Sequence, residues 1–202
     1  MRRRGHETFP AAPPASRPDE SGFSMVEMLL VLAALSILFG AIYSGFERLN
    51  RSYTAENVKA AAQQSARIGV EMMVQDIRLA GLDPLGTAGA GIVEATPTRL
   101  QYTADVNYDG LLDGDFENIA YALNGNRLEQ TSHLGTEVLL DHVSQLQFSY
   151  FDAAGVPIPE ADLAARRLDI RAIEITLTIQ RPAGSHPEIS RTYTTRVRCR
   201  NL

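Results

Sequence analysis

The residues from Asp105 to Asp113 read Asp-Val-Asn-Tyr-Asp-Gly-Leu-Leu-Asp. Side-chain oxygens recur at alternate positions, and a glycine follows the third. This is how a calcium loop begins: the hard cation collects oxygens, and the glycine permits the sharp turn that converges them. Asp105, Asn107, Asp109 and Asp113 are candidate side-chain ligands, with the carbonyl of Leu111. The twelfth loop position holds Phe116, where a bidentate Glu is expected. Asp115 and Glu117 flank it and could substitute only if the backbone departs from the usual loop. The other reading is a polar turn between Tyr102 and Ile119, built from ordinary turn formers. No other cofactor is suggested. His6, His133, His142 and His186 are widely spaced, and neither a nucleophile elbow nor a Gly-rich phosphate loop occurs. Cys199 stands alone between Arg198 and Arg200, so no disulfide forms within the chain. The sequence offers no catalytic set and predicts a non-enzyme.

A second group of residues is defined by its surroundings. Phe23 to Phe46 is almost wholly apolar, and its only charge is Glu27. About 24 residues of helix extend roughly 36 Å, enough to cross a bilayer core. A carboxylate inside a span costs about 2.5 to 3.5 kcal/mol, so it needs a partner. A plain membrane anchor explains the length of this block but not Glu27. A cleaved secretory signal fits poorly, because the apolar run is long and carries an acid near its start. A carboxylate at the edge of an apolar medium needs a counter-charge.

Gly22-Phe23-Ser24-Met25-Val26-Glu27 resembles the cleavage and methylation site of type IV pilins and type II secretion pseudopilins. The resemblance implies cleavage after Gly22 by a prepilin peptidase and methylation of Phe23. It also implies that Glu27 sets register by pairing with the amine of a neighbouring subunit. Asp76-Ile77-Arg78-Leu79-Ala80-Gly81-Leu82-Asp83-Pro84 and the segment Arg196 to Leu202 are similar to parts of PilW-type minor pilins. The partners implied are other minor and major pilins, an inner-membrane assembly platform and membrane lipid. The function implied is a minor pilin assembled into, or priming, a type IV pilus. Two alternatives stay open: a minor pseudopilin of a type II secretion system, and a membrane-tethered calcium-binding module that does not polymerise. Arg2, Arg3, Arg4 and Arg17 place the leader on the cytoplasmic side by the positive-inside rule, and hence the rest in the periplasm and then on the pilus.

These residues must be positioned by a long helix and a sheet. Residues 1–22 are polar and proline-rich, and are expected to be a disordered leader. The apolar half of the helix covers 23–46. An amphipathic half covers 47–81, with Val58, Ala61/Ala62, Ser65, Ile68/Gly69, Met72, Asp76 and Leu79 recurring at three- and four-residue steps. Gly81 and Pro84 end it. Residues 82–202 are expected to form an antiparallel sheet domain. Strands are predicted at Thr98–Thr103, Ile119–Leu123, Arg127–Gln130, Val143–Phe151, Ile170–Gln180 and Ser190–Arg198. Ile173, Ile175, Leu177 and Ile179 alternate with polar residues, so one face is buried. The fold class is α+β, a pilin-like layout of one long helix on an antiparallel sheet. Across 202 residues the net charge is -5, which gives no bulk attraction for nucleic acid, and no such contact is expected.

Overall fold

The computed structural model describes residues 22–183 and 186–202, with side chains placed outside 183–187. Of the expected leader, 1–22, all but Gly22 therefore lies outside the described residues. The chain divides into two units, one ending at Glu47 and one running Arg48–Leu202. A single helix, α1 (Met25–Ile77), contributes to both.

In the first unit, Ser24 begins the helix. Its carbonyl accepts from the Met28 amide at 3.1 Å, and its hydroxyl lies 3.4 Å from the Val26 amide. A polar side chain there satisfies a donor that the first turn leaves open. Every described residue as far as Glu47 is exposed. This part of α1 is long and apolar enough to cross a membrane, and none of that stretch is buried within the chain. Ser36 and Ser44 donate their hydroxyls to the carbonyls of Leu32 and Gly40, each at 2.8 Å. Both serine hydroxyls in the apolar stretch beyond the first turn are thus satisfied internally, as suits a lipid environment.

In the second unit, α1 buries Ala62, Ala66, Gly69, Val70, Met73 and Ile77. These three- and four-residue steps put the buried positions on one face of the helix. That face shares Ala62 and Gly69 with the expected stripe and departs from it beyond Gly69. Ile68, Met72 and Leu79 remain 42–45% exposed, while Met73 and Ile77 face the core. Apolar residues flank both sides of this face, so periodicity alone did not choose between Met72 and Met73. Gly69 lets the helix approach the sheet closely: a Cβ there would stand 2.1 Å from Leu140 Cδ1 and 3.5 Å from Leu177 Cδ2.

The regular helix ends at Ile77, four residues short of the expected end, and a tight turn carries the chain on to Gly81. Gly81 adopts φ +80 and donates its amide to the Thr103 carbonyl at 2.9 Å. A side chain there would meet Leu202 Cδ2 at 2.5 Å and the Asn201 carbonyl at 2.7 Å. Both the left-handed backbone and the close contact require glycine.

Eight strands follow in two antiparallel sheets. Five form a meander in sequence order: β1 (Ile92–Ala95), β2 (Arg99–Thr103), β3 (Asn118–Asn124), β4 (Arg127–Ser132) and β5 (Gly135–Asp141). Three form the second sheet: β6 (Val143–Phe151), β7 (Ala172–Ala183) and β8 (His186–Arg198). Two short 3-10 turns, Glu160–Asp162 and Arg167–Asp169, lie between β6 and β7. Asn124 pairs with Arg127 across a two-residue turn whose first central residue, Gly125, has φ +61. That is the type II′ position where glycine is favoured. Ile173, Ile175, Leu177 and Ile179 are fully buried and form the spine of the core. Phe148 donates its amide to the Pro97 carbonyl at 2.8 Å, and the Tyr150 phenol donates to the Thr96 carbonyl at 2.8 Å. The layout is one long helix on antiparallel sheets, an α+β fold consistent with a pilin.

Candidate functional site

Two sets of predicted residues can be placed. At the head of α1, Gly22 is exposed, and no atom stands within 4 Å of where its Cβ would be. Phe23 is 80% exposed. Glu27 lies in the first turn of α1 and is exposed. It makes no hydrogen bond or ion pair among the described residues. Gly22 and Phe23 are therefore accessible, and the Glu27 carboxylate is available to a group from outside the chain. Glu27 is surrounded in sequence by exposed Met25, Val26, Met28, Leu29 and Leu30. In a lipid or filament interior it would be a lone charge seeking a cation.

The second set is the loop joining β2 to β3. Asp105 is fully buried; its oxygens accept the amides of Asp109 at 3.2 Å and Gly110 at 3.0 Å. Its own amide donates to the Leu82 carbonyl at 2.7 Å, which fastens the loop just beyond the helix end. Asp109 accepts the Leu111 amide at 2.8 Å and the Asn107 side-chain amide at 2.9 Å. The Asn107 side-chain oxygen accepts the Asp109 amide at 2.9 Å.

Phe116 does not continue the loop in a helical direction. Its φ is +64, as is that of Tyr108. This reversal swings Glu117 inward, where it is fully buried. The Glu117 carboxylate accepts the Gly114 amide at 2.7 Å and the Asn107 amide at 3.4 Å. Ligand oxygens of Asp105, Asp109 and Glu117 come within 4.8 Å of one another. Asp113 is exposed and is not a member of that group. Among the described residues no Lys or Arg pairs with these three carboxylates, so only backbone amides and Asn107 offset their mutual repulsion. Sequence spacing identified Asp105 and Asp109 but left Glu117 conditional on the backbone. The positive φ of a bulky Phe116 carries no signal in the sequence.

Cys199 is buried, and burial pushes its thiol up to about 11 despite the nearby Arg171 charge. It is a packed residue, not an activated nucleophile.

Residues 17–43 match the family model described as the prokaryotic N-terminal methylation motif. The match spans Gly22, Phe23 and Glu27 and much of the exposed apolar part of α1. No curated protein matches the chain. A prepilin-type N-terminal motif at the head of a long apolar helix supports a pilin or pseudopilin, a structural rather than catalytic class of protein.

Proposed function

We propose that this chain is a minor pilin, made as a precursor and cut after Gly22 by a prepilin peptidase. The single observation that carries the reading is the methylation motif at 17–43, seated on the apolar first part of α1, which buries nothing within its own chain. Phe23 becomes the new N-terminus and is methylated. The helix first holds the subunit in the inner membrane, with the leader cytoplasmic and the sheet domain periplasmic. It then packs among the helices of other minor and major pilins at the assembly platform. Glu27 is placed to neutralise the Phe23 amine of a neighbour, which fixes axial register. The PilW-like helix end favours a pilus over a type II secretion pseudopilus, which would use the same anchor.

The direct test is mass spectrometry of the N-terminus of the protein purified from cells that contain the peptidase. A mature chain starting at N-methylated Phe23 supports the reading. An intact Met1 terminus in those cells, or the same mass with and without the peptidase, refutes it. Replacing Gly22 with a bulky residue should leave the precursor uncut.

A second reading concerns the β2–β3 loop. The convergence of Asp105, Asp109 and Glu117 favours a calcium ion there, with Asn107 and the Leu111 carbonyl as further oxygen donors. Such an ion would brace the loop against the end of α1 through the Asp105 to Leu82 bond. It would serve the fold whether or not the subunit polymerises.

A further inference from the structure

Phe151, Ala172 and Arg198 lie in register across β6, β7 and β8, beside the pair Glu174 and Arg196. Tyr150, Ile173 and Val197 occupy the opposite, buried face. The Phe151 row therefore belongs to the outer face of the three-stranded sheet. Phe151 is nevertheless only 8% exposed, because the Arg196 guanidinium lies 3.6 Å above its ring. Ala172, the small residue of the row, leaves a cleft of about 270 Å³ that also has Arg171 and Arg198 on its walls.

The charges of this cleft are poorly balanced. Arg171 is pinned by neutral acceptors, donating to the carbonyls of Leu168 at 2.7 Å and Ile170 at 2.8 Å. Arg196 shares the Glu174 carboxylate at 3.0 Å. Arg198 has no ion pair among the described residues. The one acid in the wall, Asp152, is already engaged: it accepts the amides of Val156 at 2.9 Å and Ala154 at 3.0 Å, and pairs with Arg166 at 3.3 Å. Three guanidinium groups, one of them stacked on the Phe151 ring, suit a carboxylate, and the exposed faces of the guanidinium planes suit an aromatic neighbour.

The chain carries such a group. The turn after Asp109 exposes Asp113, Asp115 and Phe116, and neither aspartate has an ion pair among the described residues. Phe116 is 52% exposed, on a backbone at φ +64. A bulk polyanion such as nucleic acid is the poorer occupant, because the whole chain has a net charge of -5.

We propose that the Arg171–Arg196–Arg198 cleft receives the acidic 113–116 turn of a second copy of this chain. The contact joins two different patches, so it either closes as a reciprocal pair or continues from copy to copy. It goes beyond the pilin reading and does not depend on N-terminal processing. The test uses full-length protein in detergent micelles, prepared with two different affinity tags and scored by co-capture. R198E alone and D115R alone should each lower capture several-fold. Mixing the R198E preparation with the D115R preparation should restore it, since one complementary pairing is regained. Unchanged capture by both single variants, or a mixture as weak as either alone, overturns the proposal. So does wild-type protein that fails to self-capture. Capture that inorganic phosphate abolishes but D115R leaves intact would assign the cleft to small anions instead, and would equally overturn it.

Discussion

The phenol of Tyr121 on β3 donates a short hydrogen bond to the Asp76 carboxylate on α1. Gln130 on β4 reaches both, at 3.4 Å from Asp76 and 3.3 Å from Tyr121. One polar triad thus fastens the last turn of the helix to two strands of the five-stranded sheet. Tyr121 is fully buried, so its hydroxyl has no solvent to fall back on. Tyr121→Phe should destabilise the fold by about 1–3 kcal/mol, and Asp76→Ala by at least as much because it strands the phenol. The double variant should lose less than the sum. Chemical denaturation of the detergent-solubilised chain measures all three; strictly additive losses would show that the pair is not coupled.

Gly69 should be intolerant of a side chain. An added methyl would collide with Leu140 Cδ1 on β5, at 2.1 Å, with Leu140 Cγ also near at 3.2 Å. Leu140 is half-buried and can yield only partly, so Gly69→Ala should cost about 1–3 kcal/mol. Combining it with Leu140→Ala should recover part of that cost, because the colliding atoms are gone. A Gly69→Ala protein as stable as the parent would mean that the sheet edge moves freely.

Some of this architecture was legible from residue types, and the omissions have physical causes. β6 was read with its observed ends because Leu146, Phe148 and Tyr150 alternate with polar residues, and β7 was read from its isoleucine ladder. Gly81 was readable because helix stop signals are local. β1 was missed: it is only four residues long and its pairing with β2 is irregular. β5 was missed because Gly135 to Val138 are all exposed, so no alternation marks them. β8 begins earlier than expected because its outer residues are held by pairing with β7, not by a buried face. The N-terminal motif was fully readable, since processing sites are recognised as linear sequence. Glu117 was not, since its inward turn depends on backbone angles at Phe116.

Alkali should unfold the domain. Burial raises the phenols of Tyr102, Tyr121 and Tyr150, and it lifts the Cys199 thiol to about 11. Each group stays protonated in the folded chain at a pH where the unfolded chain ionises, near 10 for tyrosine and about 8.5 to 9 for cysteine. Their contribution is complete below those values and is lost as pH climbs toward the folded ones. Stability should therefore hold through neutral pH and fall above about 9, with buried tyrosinate appearing only as the structure melts. Tyrosinate absorbance followed against circular dichroism checks this. Full ionisation of these phenols in a still-folded chain would contradict it.

Calcium should stabilise the sheet domain if the β2–β3 loop holds it. An ion that binds the folded loop alone adds stability in proportion to the logarithm of its concentration, about 2.7 kcal/mol at a hundredfold excess over Kd. Glu117→Gln should abolish the gain, since it removes a charge from the cluster. It should also relieve repulsion, so the variant without calcium should be no less stable than the parent without calcium. An unchanged melting temperature from chelator to millimolar calcium would discount the site.

Glu27→Ala should separate insertion from assembly. The residue is exposed and makes no contact within the described chain, so its loss creates no cavity and strands no donor. Removing a charge from an apolar span should make membrane insertion easier by up to about 3 kcal/mol. Peptidase cleavage after Gly22 should persist, because the scissile residue and Phe23 are untouched. Incorporation into filaments should nevertheless fall sharply, because the Phe23 amine of the adjoining subunit would enter an apolar medium without a counter-charge. Glu27→Asp should retain part of the function, since the charge survives on a shorter arm. Fractionating cells into membrane and sheared-filament pools reads both steps at once. Wild-type levels of the Ala variant in filaments would end the role assigned to Glu27, while leaving the cleavage site itself intact.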